Sequence, residues 1–366
     1  MKVICQGNEL SDALSKVVRA LPLKRTSPIL DGVKIVAGGN TLTLFATDND
    51  LAIEKTINAE VIEEGELVIP GKLFADYAKK IEEEQVELES NDNSKLIIRY
   101  LDSELAIKCS GTEEYPAFKE VSNEKSFIVL KKDLKELINK IIFCVAVDEA
   151  RPALRGCCLS INENELEGVA SDGFRLAIAK INVKSNGAIG KIVVPAKSMM
   201  EISRLLDDDE ETMSVCLEDK YVKIDLFHTK IVSRIISEEY INYNRIIPVN
   251  FNTTVTIDKK LFENAMDRVS LLNRTEKSSY VRIEIKEGEL CLNAHSEDGD
   301  IEEKVTIGLQ GMDLAIAFNS KYIVDALRVI NEPIITLNFT TSTAPSIIKG
   351  ESDKWQYLVL PLRIIG

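Results

Sequence analysis

The sequence predicts an α+β chain of three repeated domains, each with two helices and several antiparallel strands. Three observations predict it: an internal period of about 124 residues, paired amphipathic helices at matching places in every copy, and strand-like alternation between them. The period is read from LTLFATD (42–48), LEGVASD (166–172) and LCLNAHS (290–296), whose first leucines, Leu42, Leu166 and Leu290, are 124 apart. Because this far exceeds a solenoid unit of about 20–50 residues, each copy can bury a core of its own.

The elements follow in order. The first helix of each repeat is expected in NELSDALSKVVRAL (8–21), KKDLKELINKIIFC (131–144) and DKKLFENAMDRVSLL (258–272). Apolar residues recur there at helical spacing: Leu10, Ala13, Leu14 and Val17; Leu134, Leu137, Ile138 and Ile141; Leu261, Ala265, Met266 and Val269. The second helix is expected in VIPGKLFADYAKKI (68–81), VVPAKSMMEISRLL (193–206) and AFNSKYIVDALRVI (317–330), each a strand end, a small or capping residue, a lysine and an apolar stripe. Alternating runs such as KLIIRY, ELAIKC, YVKIDLF, KIVSRII, YVRIEI and IITLNFT read as strands, separated by turn chemistry such as GGN, NEN, KEG and SEDG. Pro, Asn and charge replace the pattern near EEYPAFKEVSNEK (113–125) and RIIPVNFN (245–252). Domains are therefore expected at 1–120, 126–248 and 252–366.

Composition excludes much else. With 366 residues, 28% charged and 45% hydrophobic, the chain is neither disordered nor fibrous. No apolar run approaches the roughly 18 residues of a membrane span, and MKVICQGNELSDAL lacks signal-peptide character, so a cytoplasmic location is expected. Seven cysteines without a CxxC pair point to reduced thiols, and adjacent Cys157 and Cys158 should face opposite sides of a strand. Two histidines, His228 and His295, leave little for imidazole catalysis or metal binding. There is no phosphate loop, no GxGxxG after a strand and no GxSxG elbow, so neither a cofactor nor an enzymatic activity is expected. One enzymatic reading would use Asp48 and Asp172, which occupy equivalent positions in two repeats. A repeated aspartate at a strand-to-turn position is more economically a turn residue, and the third repeat has Ser296 there.

The net charge of −14 repels DNA at long range. Over the helix windows 8–19, 71–82, 131–142, 196–207, 258–272 and 320–331, however, the charge is +4, which leaves −18 for the rest. Either surface helices simply favour Lys and Arg, or their polar faces turn toward a polyanion. In the second case Lys72, Lys131, Lys132, Lys135, Lys197, Arg204, Lys259, Lys260 and Lys321 are candidate phosphate neighbours. No aromatic residues interleave with them, so such contacts would be sequence-independent and would not stack on single strands.

Seven segments carry a family resemblance: SPILDGVKI (27–35), EEYPAF (113–118), DEARPALRG (148–156), ASDGFRLA (170–177), YINYNRIIP (240–248), FNSKYIVDAL (318–327) and YLVLPLR (357–363). In this order, on a threefold repeat, they resemble the bacterial DNA polymerase III beta subunits, the DNA sliding clamps. The resemblance implies a DNA-clamp fold in which two chains associate head to tail into a ring, with helices lining the hole and sheets outside. It implies a processivity factor that encircles duplex DNA, catalyses nothing, and tethers the replicative polymerase and clamp loader through short hydrophobic motifs. Matched residue by residue, the partner-peptide pocket holds Leu154, Ser171, Gly173, Phe174, Arg175, Leu176, Ile241, Ile246, Leu358, Leu360, Pro361, Leu362 and Arg363. DNA contacts carried over are Lys24, Arg25, Lys72, Arg151 and Lys197, and the dimer seam pairs Leu105 with Leu271 and Leu272. Phe174 stands where the family often has His, Ile241 where Pro is frequent, and Ile365 and Gly366 extend past the usual end. At the seam, Glu297, Asp298, Asp300, Glu302 and Glu303 would face an edge carrying Asp102 and Glu104, with only Arg99 and Lys108 near. Like charges across a seam weaken association.

Overall fold

The computed structural model describes residues 1–24, 27–82, 84–91, 95–148, 150–272, 280–297 and 299–363. The first repeat runs β1 (Lys2–Gln6), α1 (Gly7–Val17), β2 (Gly32–Gly38), β3 (Thr41–Thr47), β4 (Leu51–Asn58) and β5 (Glu60–Glu63). It ends with β6 (Gly65–Pro70), α2 (Gly71–Ala78), β7 (Gln85–Asn91), β8 (Lys95–Tyr100) and β9 (Ser103–Lys108). The second runs β10 (Ser126–Leu130), α3 (Lys131–Ile141), β11 (Gly156–Ile161), β12 (Glu165–Ser171), β13 (Arg175–Asn182) and β14 (Lys184–Asn186). It closes with β15 (Gly190–Pro195), α4 (Ala196–Leu205), β16 (Thr212–Leu217), β17 (Tyr221–Asp225) and β18 (Thr229–Arg234). The third runs β19 (Thr253–Asp258), α5 (Lys259–Val269), β20 (Tyr280–Lys286), β21 (Glu289–Ser296) and β22 (Gly299–Gly311). Its remaining elements are β23 (Leu314–Asn319), α6 (Ser320–Leu327), β24 (Ile334–Phe339), β25 (Ser346–Lys349) and β26 (Trp355–Val359).

Local chemistry explains where the helices depart from expectation. The stripes of α1 and α3 are buried as their spacing requires. In α5 the stripe is Phe262, Ala265, Met266 and Val269, and Leu261 is exposed. The Asp258 carboxylate caps α5 by accepting the Leu261 N–H at 2.9 Å, which starts the helix so that Phe262 points inward. Every helix is shorter than its window. α1 and α3 give way to 3-10 turns at Val18–Ala20 and Ile142–Cys144, a tightening that satisfies terminal carbonyls. Counted over the helices as folded, the charge is +3 against −17 elsewhere, so the segregation of sign survives the trimming.

Three repeats fold as two compact units. One comprises Met1–Lys131, Lys184–Ile189 and Arg204–Ile235. It holds a five-stranded sheet, β5-β1-β7-β8-β9, and a nine-stranded sheet, β14-β10-β16-β17-β18-β4-β3-β2-β6. The other comprises Lys132–Val183, Gly190–Ser203 and Ile236–Gly366, with a twelve-stranded sheet, β15-β11-β12-β13-β26-β25-β24-β19-β22-β21-β20-β23. The sharing of the second repeat has a simple cause. In each unit the last strand of one repeat pairs antiparallel with the fourth strand of the preceding repeat, making one continuous sheet. At the first junction β18 lies on β4 with Ile231 opposite Ile53; at the second, β26 lies on β13 with Tyr357 opposite Ala177.

All seven cysteines are free. Cys157 and Cys158 point to opposite sides of β11 yet both are buried, and burial pushes the Cys158 thiol up to about 11. Among the described residues no helix is long and apolar enough to cross a membrane.

Candidate functional site

The two junctions share one turn. Asp172 Oδ1 accepts the N–H groups of Phe174 (2.9 Å) and Arg175 (3.0 Å), while Ser171 Oγ donates to the Arg175 carbonyl (2.7 Å) and accepts the Gly173 N–H (3.1 Å). Asp48 and Thr47 do the same in the first repeat, where Asp48 Oδ1 accepts from Asp50 (3.0 Å) and Leu51 (2.7 Å), and Thr47 Oγ1 donates to the Leu51 carbonyl (2.9 Å). Gly173 and Asn49 sit at equivalent left-handed positions, with φ of +92° and +77°. Each of these aspartates therefore spends its Oδ1 on backbone amides. The enzymatic reading of Asp48 and Asp172 has no geometric support.

Beyond the turn the junctions differ. Arg175 is 6% exposed and is an internal fastener, not a surface group. Its guanidinium donates to Asp172 Oδ2 (3.0 Å), Asp325 Oδ2 (2.8 Å) and the Phe143 carbonyl (2.9 Å), and lies 4.4 Å from the Tyr322 ring centroid. Burial penalises its charge, but the Asp325 and Asp172 carboxylates outweigh that penalty and hold its proton more tightly than usual. The first junction has buried Leu51 in that place.

Leu154, Leu176 and Leu358 are buried in one apolar cluster with Tyr240 and Tyr243, and Ile241 packs against its side. Ser171 is buried as well. These residues form a buried floor, and Phe174 (61% exposed), Ile246 (47%), Leu360 (36%) and Leu362 (43%) are exposed on the same segments. Pro361 is half-buried, and Gly173 and Arg363 are exposed. The chain after β26 is fixed by two backbone bonds, Leu360 N–H to the Phe174 carbonyl (2.9 Å) and Leu362 N–H to the Ala317 carbonyl (2.8 Å). At the first junction Arg234 N–H bonds the Asp50 carbonyl at 2.7 Å, so the backbone is repeated while the exposed apolar pair Phe174 and Leu360 is replaced by Asp50 and Arg234. Exposed apolar groups over a preformed apolar floor can anchor a short hydrophobic segment. The sequence reading missed Tyr240 and Tyr243 as floor residues. The signal was present in EEYPAF (113–118) and EEYINY (238–243), where Tyr115 and Phe118 pack on Phe45 at the first junction.

Of the residues matched to DNA contacts, Lys24 and Lys72 are exposed and Lys197 is half-buried. Lys72 and Lys197 are the second residues of α2 and α4, a position Lys321 takes in α6. Arg25 lies outside the described residues. Arg151 is exposed, but a side chain at Gly173 would meet its guanidinium at 3.1 Å, so it stands beside the Phe174 turn. At the expected seam, β9 is an edge strand, Leu105 is half-exposed on it, and Leu271 is 53% exposed just past α5, with Leu272 half-buried next to it. The charge expected there is partly neutralised within each edge. Arg268 grips both Glu303 oxygens at 2.7 Å, Lys304 approaches Glu302 at 3.7 Å, and His295 contacts Asp300. Arg99, expected as a basic partner for the seam, is occupied by Glu87, Glu89 and Glu104. Asp298 lies outside the described residues.

Comparison with known proteins gives one answer over the whole length. Family models for the N-terminal, central and C-terminal domains of the DNA polymerase III beta subunit match residues 1–119, 129–242 and 244–363. The beta sliding clamp of Staphylococcus aureus is 30% identical over 361 residues, covering 96% of each chain. The crystal structure of the Bacillus subtilis DNA polymerase sliding clamp is 28% identical, with a TM-score of 0.95 over 100% of this chain and 99% of that one. The Thermotoga maritima DNA polymerase III beta subunit is 30% identical, with a TM-score of 0.93 over 99% of each. The chain belongs to the DNA polymerase III beta-subunit family of sliding clamps, processivity factors that are not enzymes.

Proposed function

We propose that two copies associate head to tail into a ring enclosing duplex DNA without sequence preference, and that the second junction takes short hydrophobic motifs from the replicative polymerase and the clamp loader. The observation that carries the peptide site is that Phe174 and Leu360 are exposed two residues along from buried Leu176 and Leu358, which pair across β13 and β26. Ile241, Ile246, Pro361 and Arg363 border it, and Arg151 is assigned to this site instead of to DNA because of its place beside Gly173. Ser171, Gly173 and Arg175 act through the turn that presents Phe174.

Lys24, Lys72 and Lys197 are the proposed phosphate neighbours. A +3 balance on the helices within an acidic chain supports loose contact, since a strongly basic surface would bind phosphates tightly through counterion release. Three clamp domains, 1–120, 126–248 and 252–366, and a reducing cytoplasm complete the reading, the latter supported by seven free thiols. Leu105, Leu271 and Leu272 are the apolar contacts proposed for the seam.

Truncating an anchor in a desolvated site costs about 2 kcal/mol or more. Leu360→Ala with Leu362→Ala should therefore weaken binding of a hydrophobic polymerase peptide roughly a thousandfold, while circular dichroism and thermal melting stay close to those of the parent. Unchanged peptide affinity in the folded double variant would move the site elsewhere.

A further inference from the structure

The repeat leaves two strand edges without the partner that their equivalents have. Ala46, Ala170 and Ala294 are 124 apart, and each sits opposite one residue of the fourth strand: Ile53, Ala177 and Ile301. In the last hairpin, Ile98, Ile224 and Ile348 likewise sit opposite Leu105, Ile231 and Tyr357. Within the chain Ile231 meets Ile53 and Tyr357 meets Ala177. Leu105 and Ile301 are the third pair of this series. β9 pairs only with β8, and the Gly299–Thr306 part of β22 pairs only with β21, so among the described residues no strand covers either outer edge.

Burial agrees with the series. Ile231, Ile53, Tyr357 and Ala177 are fully buried, whereas Leu105 and Ile301 are only half-buried. The helix behind the strand repeats too. Phe143, just after α3, packs its ring 5.8 Å from that of Tyr357, and Leu271 is the corresponding residue after α5.

We propose that in this chain the seam between two copies carries a like-charged pair, Glu104 opposite Glu302, which follows when β9 meets Gly299–Thr306 of the second copy in the register of the two internal junctions, with Leu105 opposite Ile301. This rests on the head-to-tail dimer and fixes what meets what within it. Its consequence is electrostatic. The position of the Glu104 and Glu302 pair is held at the first junction by Lys230 and Glu54, an ion pair at 3.2 Å, and at the second by Gln356 and Ile178. The seam alone places two carboxylates directly opposite each other, a destabilising cross-strand arrangement. Arg99 offsets Glu104 from one side and Lys304 offsets Glu302 from the other, but neither stands between the two. The intermolecular junction is thus built weaker than the internal ones at one matched position.

The test measures the monomer–dimer dissociation constant by sedimentation for the parent, Glu104→Lys, Glu302→Lys and the double variant. Each single change converts a like pair into an opposite one and should tighten association about tenfold. The double variant restores a like pair and should lose that gain. If the parent dimerises but Glu104→Lys weakens it or leaves it unchanged, the register is wrong while the dimer stands, as for a two-residue slip that sets Glu104 against Lys304; a slip that sets it against Asp300 would also set Asp102 against Glu302, and the double variant would then keep the gain of both single changes. Light scattering that gives 40.8 kDa at every concentration and in every variant would overturn the dimer itself, and the register with it.

Discussion

The first and second junctions use equivalent strands, the same turn and the same closing backbone bond, yet one presents Asp50 and Arg234 where the other exposes Phe174 and Leu360. Their buried parts differ as well. At the first, Leu51 fills the inner position and the Tyr115 hydroxyl donates to the Gly32 carbonyl at 2.8 Å. At the second, Arg175 fills the inner position, and the equivalent Tyr240 hydroxyl is buried with no acceptor among the described residues. The difference teaches that the backbone can be repeated closely while a few side chains set the character of the surface it presents. A buried arginine tied to Asp325 also anchors α6 beside this turn, whereas the first junction has Leu51 in that place.

The largest effect should come from making one junction into the other. Phe174→Asp with Leu360→Arg copies the surface of the first junction onto the second. Calorimetry should find affinity for a hydrophobic partner peptide reduced by roughly a thousandfold or more, with the fold retained because both positions are exposed. Retained binding would mean that the floor, not these two residues, makes the site. Next in size is Arg175→Met, which leaves Asp172 and Asp325 without their shared cation and should lower stability in urea by about 3–5 kcal/mol. A loss below about 1 kcal/mol would show that the two acids find other partners. The smallest contrast is between two hydroxyls. Tyr115→Phe removes a buried hydrogen bond and should cost about 1 kcal/mol, whereas Tyr240→Phe removes a group that has no acceptor and should cost less than half of that. Equal costs would erase the distinction between the junctions.

Much of this was legible in the sequence because it is local or periodic. The two helices per repeat and the turn chemistry of Asp48 and Asp172 follow from residues within a few positions of each other, and the 124-residue period follows from motifs that recur along the chain. The positions of Leu360 and Leu362 followed from the family match. What the sequence hid depends on contacts between distant segments. Arg175 reads as a member of the peptide pocket until Asp325 and the Phe143 carbonyl are brought to it, and Arg99 reads as available until strand pairing sets it among Glu87, Glu89 and Glu104. The inward rotation of Phe262 in place of Leu261 turns on a single cap hydrogen bond that periodicity does not register.

The pairing of β18 with β4 also has a meaning in time. Ile53 waits for Ile231, so the outer edge of β4, with Leu51, Ala52 and Ile53 along it, has no partner until nearly 180 further residues have been made. At about 5–20 residues per second that is roughly 10–35 s on the ribosome. The second junction imposes a wait of similar length, since Ala177 pairs with Tyr357. Each newborn chain therefore passes through two intervals in which an apolar strand edge is open to wrong partners. The strand pairing that joins neighbouring repeats within each unit also makes the protein's synthesis a period of exposure.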